Sequence, residues 1–277
     1  MKAIPMNDLS ARRPLRMFDV KALGETIYES RGAGEAEIVV VIPLYNYTHT
    51  ITAALGSVVK QDLAALAVIV VDDSSTDDSG QRAVDFLQCH PARFSRAQVV
   101  RHHRNQGLAM SRNSGIAHST EPYLFMLDAD NRLRRPALSR LLDALDHSGA
   151  DFAYSQLRLF GDEEGIGSAD IWEPQRLRAG NYIDAMALIR REALLAAGGF
   201  SSMAVEEGWE DYDLWCRFAE LGFEGVFLPE LLCEYRVHGT SMLRSRTNNH
   251  YMALDMEMRL RHPKLFQDPP SDRGEQV

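Results

Sequence analysis

The chain has 277 residues, of which 45% are hydrophobic and 25% charged, and carries a formal net charge of −9 at pH 7. This composition suits a soluble globular protein with one large core or two small ones. It excludes nucleic-acid binding through an excess of phosphate-neutralising Lys and Arg.

Residues 1–36 are polar and mixed and read as an extension with one short helix near 19–30. From Glu37 the pattern sharpens. Residues 38–42 form an uninterrupted β-branched run, the signature of a strand buried on both faces. Ile51, Ala54, Leu55, Val58 and Val59 then recur at helical spacing. Strands are expected at 67–71, 98–102 and 123–127, with helices at 79–88 and 107–117 between them. A βαβαβαβ succession of this kind implies a doubly wound, mostly parallel sheet with helices on both faces and right-handed crossovers. Pro136 opens a further helix, whose Leu138, Leu141, Leu142 and Leu145 make one apolar face. Residues 151–155 read as a strand, and 156–180, rich in glycine and charge, as a mobile loop. A strand at 183–189, a helix at 191–197 stopped by Gly198-Gly199, and a helix at 211–221 with Leu214, Phe218 and Leu221 inward follow. The last strand is expected at 224–228, ending at Pro229, before a polar tail from about 262. No apolar run reaches the roughly 20 residues of a membrane span, and the N-terminus lacks the apolar stretch of a secretory signal. The three cysteines (Cys89, Cys216, Cys233) are too widely spaced for a metal site and read as buried free thiols.

Three of these strands end in polar residues, as the strands of a parallel sheet do where ligands bind at their carboxyl ends. After the first come Pro43, Tyr45 and Asn46; Tyr45 either stacks on a base or is a half-buried turn residue. After the second come Asp72 and Asp73, which accept hydrogen bonds from base or ribose, while Ser74, Ser75 and Asp77 cap the next helix. Gly107 opens a helix whose first turn offers N–H groups to an anion, and Arg112 is the cation best placed for base or phosphate. After the fourth strand, Asp128 and Asp130 flank a single residue. Two carboxylates so close repel unless a cation lies between them, and hard oxygen ligands select Mg²⁺ or Mn²⁺. Glu210 and Asp211 either balance a helix dipole or supply a general base. His238 is a further candidate for metal or phosphate.

In this order, the stretches Ile-Pro-Leu-Tyr-Asn (42–46), Asp-Asp-Ser-Ser-Thr-Asp (72–77), Asn-Gln-Gly-Leu-Ala-Met-Ser-Arg-Asn (105–113), Asp-Ala-Asp (128–130), Gly-Gly-Phe (198–200), Trp-Glu-Asp-Tyr-Asp (209–213) and Tyr-Arg-Val-His (235–238) resemble the family-2 glycosyltransferases, inverting enzymes of the GT-A fold. The resemblance spans some 200 residues. It implies that Pro43, Tyr45, Asn46, Asp73, Gly107, Arg112 and Asp128 surround a nucleoside-diphosphate sugar, most often uridine-linked. It implies that Asp130, with Asp128 and His238, holds the cation, and that Gly199, Phe200 and Trp209 shape the sugar and acceptor pocket. Asp211 becomes the base, with Glu210 beside it. The expected organisation is an extension (1–36), a transferase domain (37–245, with a nucleotide half at 37–131 and an acceptor half at 132–245), and a C-terminal helix and tail (246–277). The acceptor is a glycan, lipid-linked or other hydroxyl in polysaccharide or glycoconjugate synthesis. The location is cytoplasmic, with the inner face of the membrane as the alternative. Two rivals are a sugar-nucleotidyltransferase and a non-catalytic nucleotide-sugar-binding subunit. The first should carry a glycine-rich basic loop after the first strand, where this chain has Leu44-Tyr-Asn-Tyr-Thr-His; the second should have lost one of the carboxylates, and this chain keeps them.

Overall fold

The computed structural model describes residues 20, 21, 23–203, 208–239 and 250–266. Its first half follows the expected alternation: β1 (Gly24–Arg31), β2 (Ile38–Leu44), α1 (Ile51–Val59), β3 (Ala67–Asp72), α2 (Ser79–Gln88), β4 (Arg96–His102), α3 (Leu108–His118) and β5 (Tyr123–Met126). After these come β6 (Arg132–Leu133), α4 (Ala137–Ser148), β7 (Phe152–Gly161), β8 (Gly165–Ile166), a 3₁₀ turn (Pro174–Ala179), β9 (Ala187–Arg190), α5 (Arg191–Ala196), α6 (Glu210–Leu221), β10 (Gly225–Val237), α7 (Tyr251–Arg261) and α8 (Pro263–Phe266). The strands form one sheet in the order β1-β4-β3-β2-β5-β9-β7-β10-β6, with β8 on the far end of β7. Strands β4, β3, β2 and β5 are mutually parallel, as are β7 and β10; the antiparallel β9 joins the two groups. Six strands therefore deliver their carboxyl ends to one edge.

The apolar run of β2 is explained by its two covered faces. Val40 and Ile42 face α1, α2 and α4, whereas Val39 and Val41 face α3 and α6. Alternation sends successive residues to opposite sides, so a strand covered twice must be apolar throughout. Helix α3 lies unusually close to β2: a Cβ on Gly115 would meet Val41 Cγ1 at 2.1 Å. That approach brings Arg112, three residues earlier, down to the carboxyl edge of the sheet.

Several expectations are corrected. Residues 24–31 form an edge strand antiparallel to β4, not a helix. The segment 156–180 is not a loose loop. Strand β7 runs on to Gly161, β8 pairs back onto it, and Gln156 Nε2 and Tyr154 Oη donate to the carbonyls of Ala169 and Asp170 at 3.0 and 2.5 Å. Strand β10 does not stop at Pro229. It passes the proline through a register shift between Leu228 and Leu231, where the missing N–H costs no ladder bond, and continues to Val237. Leu221 is 53% exposed at the end of α6, where the helix gives out at Gly222, and Cys89 is exposed, unlike Cys216 and Cys233. Residues 263–266 are helical; the remainder of the expected tail lies outside the described residues. Among the described residues no helix is long and apolar enough to cross a membrane.

Candidate active site

At the carboxyl ends of β2 and β3 the polar residues first serve the fold. Asp72 is buried and accepts from Arg101 at 2.7 Å and from the amide of Ser75 at 2.9 Å. Asp73 is also buried, and both its oxygens are engaged. Oδ1 meets His102 Nδ1 at 2.6 Å and the Gln106 amide at 2.8 Å, and Oδ2 takes the Gly107 amide at 2.8 Å. The amides leading into α3 are thus satisfied by an internal carboxylate. Gly107 is favoured by its φ of +86°, and a Cβ there would meet no protein atom within 4 Å. Asn46, at φ 59°, ties β2 to the next loop, its Oδ1 accepting from the Thr76 amide at 2.8 Å. Pro43 is buried in β2, and Tyr45 beside Asn46 is 43% exposed.

Arg112 is the pivot of the site. Its guanidinium is 2% exposed, donates to Asp128 Oδ1 at 2.9 Å and to Glu210 Oε1, and lies over the Phe200 ring at 5.1 Å. Burial alone would lower its pKa; the charges of Asp128 and Glu210 outweigh that and raise it. Arg112 is thus paired with two carboxylates, while its buried Nε has no hydrogen-bond partner among the described residues. It couples the Asp-Ala-Asp loop to the first turn of α6, Glu210 lying 98 residues beyond Arg112 in sequence. Phe200 lies beneath the site, its amide and carbonyl held by the Asn113 side chain at 2.8 and 2.7 Å. Gly199, at φ +75°, would place a Cβ 2.5 Å from Asn113 Oδ1. These two residues support Arg112 and do not line the cavity.

The cavity, about 850 Å³, opens among α3, the β7–β8 hairpin, the 3₁₀ turn, α6 and α7. Trp209, Glu210 and Asp211 line it together with Arg112 and Asp128. Trp209 sits at φ 66°, a left-handed conformation rare for a bulky residue, with its ring edge-on to Tyr212 and Tyr251 at 5.4 and 5.3 Å. Asp211 accepts from Asn181 Nδ2 at 3.1 Å and from the Tyr212 amide at 2.8 Å. Burial, then the charges of Glu210 and Asp184, push its carboxyl up to about 8. Asp184 had no signal in the sequence, being one acid in an apolar stretch. It lines the same cavity, and burial and the charge of Asp128 push it up to about 7. Tyr235, the first residue of the Tyr-Arg-Val-His stretch, also lines the cavity; burial and then the fields of Asp184, Asp128 and Asp130 raise its hydroxyl. Only the closed fold shows that these groups share one space.

Asp130 lies on the far side of Asp128. His238 Nε2 meets its Oδ2 at 2.9 Å, and Arg236 Nε donates to its carbonyl at 3.2 Å. Burial and the charge of Asp128 raise the Asp130 carboxyl, against the pull of His238. Among the described residues no three His, Cys, Asp or Glu side chains converge to hold a metal ion. Asp130 is paired with the His238 imidazole, and the Asp128 carboxylate lies near enough for its charge to be felt. That donor set fits a hard divalent cation whose other ligands come from the substrate.

The site is thus an acidic cavity at the carboxyl edge of a mixed, mostly parallel α/β sheet. The chain belongs to glycosyl transferase family 2, whose model matches residues 39–205. It is 28% identical over 207 residues to EpsE of Bacillus subtilis (strain 168), covering 72% of this chain and 73% of that protein. Its fold is similar to that of S. aureus TarS 1–349 in complex with UDP-GlcNAc, with TM-score 0.66, 17% identity, and coverage of 82% of this chain and 66% of that one. It is also similar to the mannosyltransferase PcManGT from Pyrobaculum calidifontis in complex with GDP-Man and Mn²⁺, with TM-score 0.64, 18% identity, and coverage of 92% and 73%. The chain thus has the GT-A fold of these neighbours.

Proposed function

We propose that the protein transfers a sugar from a nucleoside-diphosphate sugar, uridine-linked in the first instance, to a hydroxyl of a glycan or lipid-linked acceptor in polysaccharide or glycoconjugate synthesis, with inversion at the anomeric carbon. The observation that carries this reading is the Asp128–Arg112–Glu210 bridge, which sets a donor-side carboxylate and the acceptor-side Asp211 on one cavity. Asp128, Asp130 and His238 are the residues that would hold Mn²⁺ or Mg²⁺. The cation would neutralise the leaving diphosphate. The neighbours' complexes with UDP-GlcNAc and with GDP-Man and Mn²⁺ support a nucleotide-sugar donor and a divalent cation.

Asp211 takes the proton from the acceptor hydroxyl as that oxygen attacks. A carboxyl pushed up to about 8 is a far stronger base than an exposed aspartate, which suits a weakly acidic hydroxyl. The protonated Asp211 is in turn tolerated in its crowded surroundings. Arg112 holds Asp128 and Glu210 in place; Glu210, being already paired, serves the scaffold and not the proton. Trp209 forms an apolar wall for the acceptor.

The test is diphosphate release from a panel of UDP- and GDP-sugars with mixed hydroxyl acceptors, with and without Mn²⁺. Cation-dependent release from one donor supports the reading. Failure of every donor, UDP and GDP to bind under either condition overturns it.

A further inference from the structure

The cavity is strongly biased in charge. Six carboxylates line it (Asp128, Glu163, Asp184, Glu210, Asp211 and Asp255) against three guanidiniums. Arg112 is committed to Asp128 and Glu210, and Arg259 to Asp255 at 2.8 Å. Arg178 is engaged as well. In this company Asp184 is distinctive. Its Oδ1 accepts from the Met186 amide at 2.9 Å, while Oδ2 has no hydrogen-bond partner among the described residues. It lines the same cavity as Asp128, Asp211 and Tyr235, close enough to feel the charge of Asp128 and to act on Asp211.

We propose that Asp184 is a specificity-determining residue that selects a donor carrying an uncharged sugar, a hexose or acetamido-hexose, and rejects acidic sugars. The proposal rests on the glycosyl-transfer reading above. A sugar hydroxyl can donate to the open Oδ2 of Asp184, and the Tyr235 hydroxyl can donate to or accept from its neighbour. Above the raised values of about 7 for Asp184 and about 8 for Asp211, where both are ionised, a sugar carboxylate in the same place would meet Asp184, Asp211 and Asp128, with each guanidinium of the cavity already paired to a carboxylate or otherwise engaged. Like charges brought together in a partly desolvated site discriminate by repulsion, which makes selection possible without a new attractive contact. A divalent cation at Asp128 and Asp130 leaves this sign unchanged, because the diphosphate it holds matches its charge.

The experiment is calorimetric binding to the full chain, with Mg²⁺ and at about pH 9 so that Asp184 and Asp211 are ionised, of UDP, UDP-glucose and UDP-glucuronate. GDP, GDP-mannose and GDP-mannuronate are run in parallel so that either base preference is covered. In the wild type the neutral sugar nucleotide should bind about tenfold or more tighter than its acidic counterpart. Asp184→Asn keeps the acceptor for the Met186 amide but removes the charge. It should narrow that gap by about threefold or more while UDP or GDP binds as before. Equal wild-type affinity for the neutral and acidic donors overturns the inference and leaves the transferase reading standing. So does a gap that Asp184→Asn does not move. Absence of binding by all six ligands instead sinks the transferase reading, and this inference with it.

Discussion

Replacing Asp211 by Asn removes one proton acceptor and little else. Asn can still accept from the Tyr212 amide, at 2.8 Å in the parent, and a turn of the Asn181 amide restores the second contact, at 3.1 Å. With the carboxyl pushed up to about 8, it is mostly protonated at pH 7 and more so at pH 6. The wild-type rate should therefore rise close to tenfold per pH unit and level off near 8. A bound divalent cation pulls the inflection lower, since it favours every nearby carboxylate. Asp211→Asn should lose about 10²–10⁴ in turnover, the range for removal of a general base, and should lose the rising limb, with donor affinity kept. Stability supplies a second readout. Because the folded pKa lies above the unfolded one, the native state keeps a proton that the unfolded chain has released. Stability is therefore full below about 4 and is lost as pH rises through about 8. The variant escapes that loss and should melt higher than wild type at pH 9, but not at pH 4. Sugar transfer, calorimetric donor binding and thermal melts at the two pH values test all of this. Transfer by Asp211→Asn at the wild-type rate would refute the assignment of the base.

Asp130→Ala should abolish cation-dependent binding of UDP, because it leaves Asp128 and His238 without the second carboxylate; titration with UDP and Mn²⁺ checks this, and unchanged affinity would make the pair structural. Arg112→Met should destabilise the fold by about 3 kcal/mol or more, because it strands Asp128 and Glu210 in a buried site, and denaturant unfolding measures the loss. Asp213 ties α6 to the end of α7 through Arg261 and His262 at 3.1 and 3.2 Å, and pairs with Arg217 of its own helix at 2.9 Å. Burial raises its carboxyl, but the His262 hydrogen bond and the Arg217 and Arg261 charges win and hold it well below the ordinary range. Its contribution is therefore present above about pH 4 and lost as pH falls further, so Asp213→Asn should cost stability at pH 7 and much less near pH 2, read from melts across that range.

Much of the fold was legible in the sequence because its signals are local. A strand covered on both faces must be apolar at every position, and a helix on one face of a sheet must repeat its apolar residues every three to four. The succession from β2 to β5 follows from those two periods alone, and so does the ranking of Asp128, Asp130, Glu210 and Asp211 as polar residues at strand ends and a helix start. Where the local signal was weak, the reading failed. Tyr28 and the charges of β1 gave no clean period, and the strand exists because β4 offers it a free edge. Pro229 reads as a stop in the sequence, but pairing with β7 carries β10 across the bulge. Which polar group does what was a tertiary decision throughout. Asp73 turns inward to the amides of Gln106 and Gly107, Arg112 is drawn between Asp128 and Glu210, and Asp184 reaches the cavity beside Asp211. These partners lie between 16 and 98 residues apart wherever a direct bond joins them. A carboxylate's role is set by the charges and amides within a few ångströms of it, and chain spacing says nothing of those until the sheet closes.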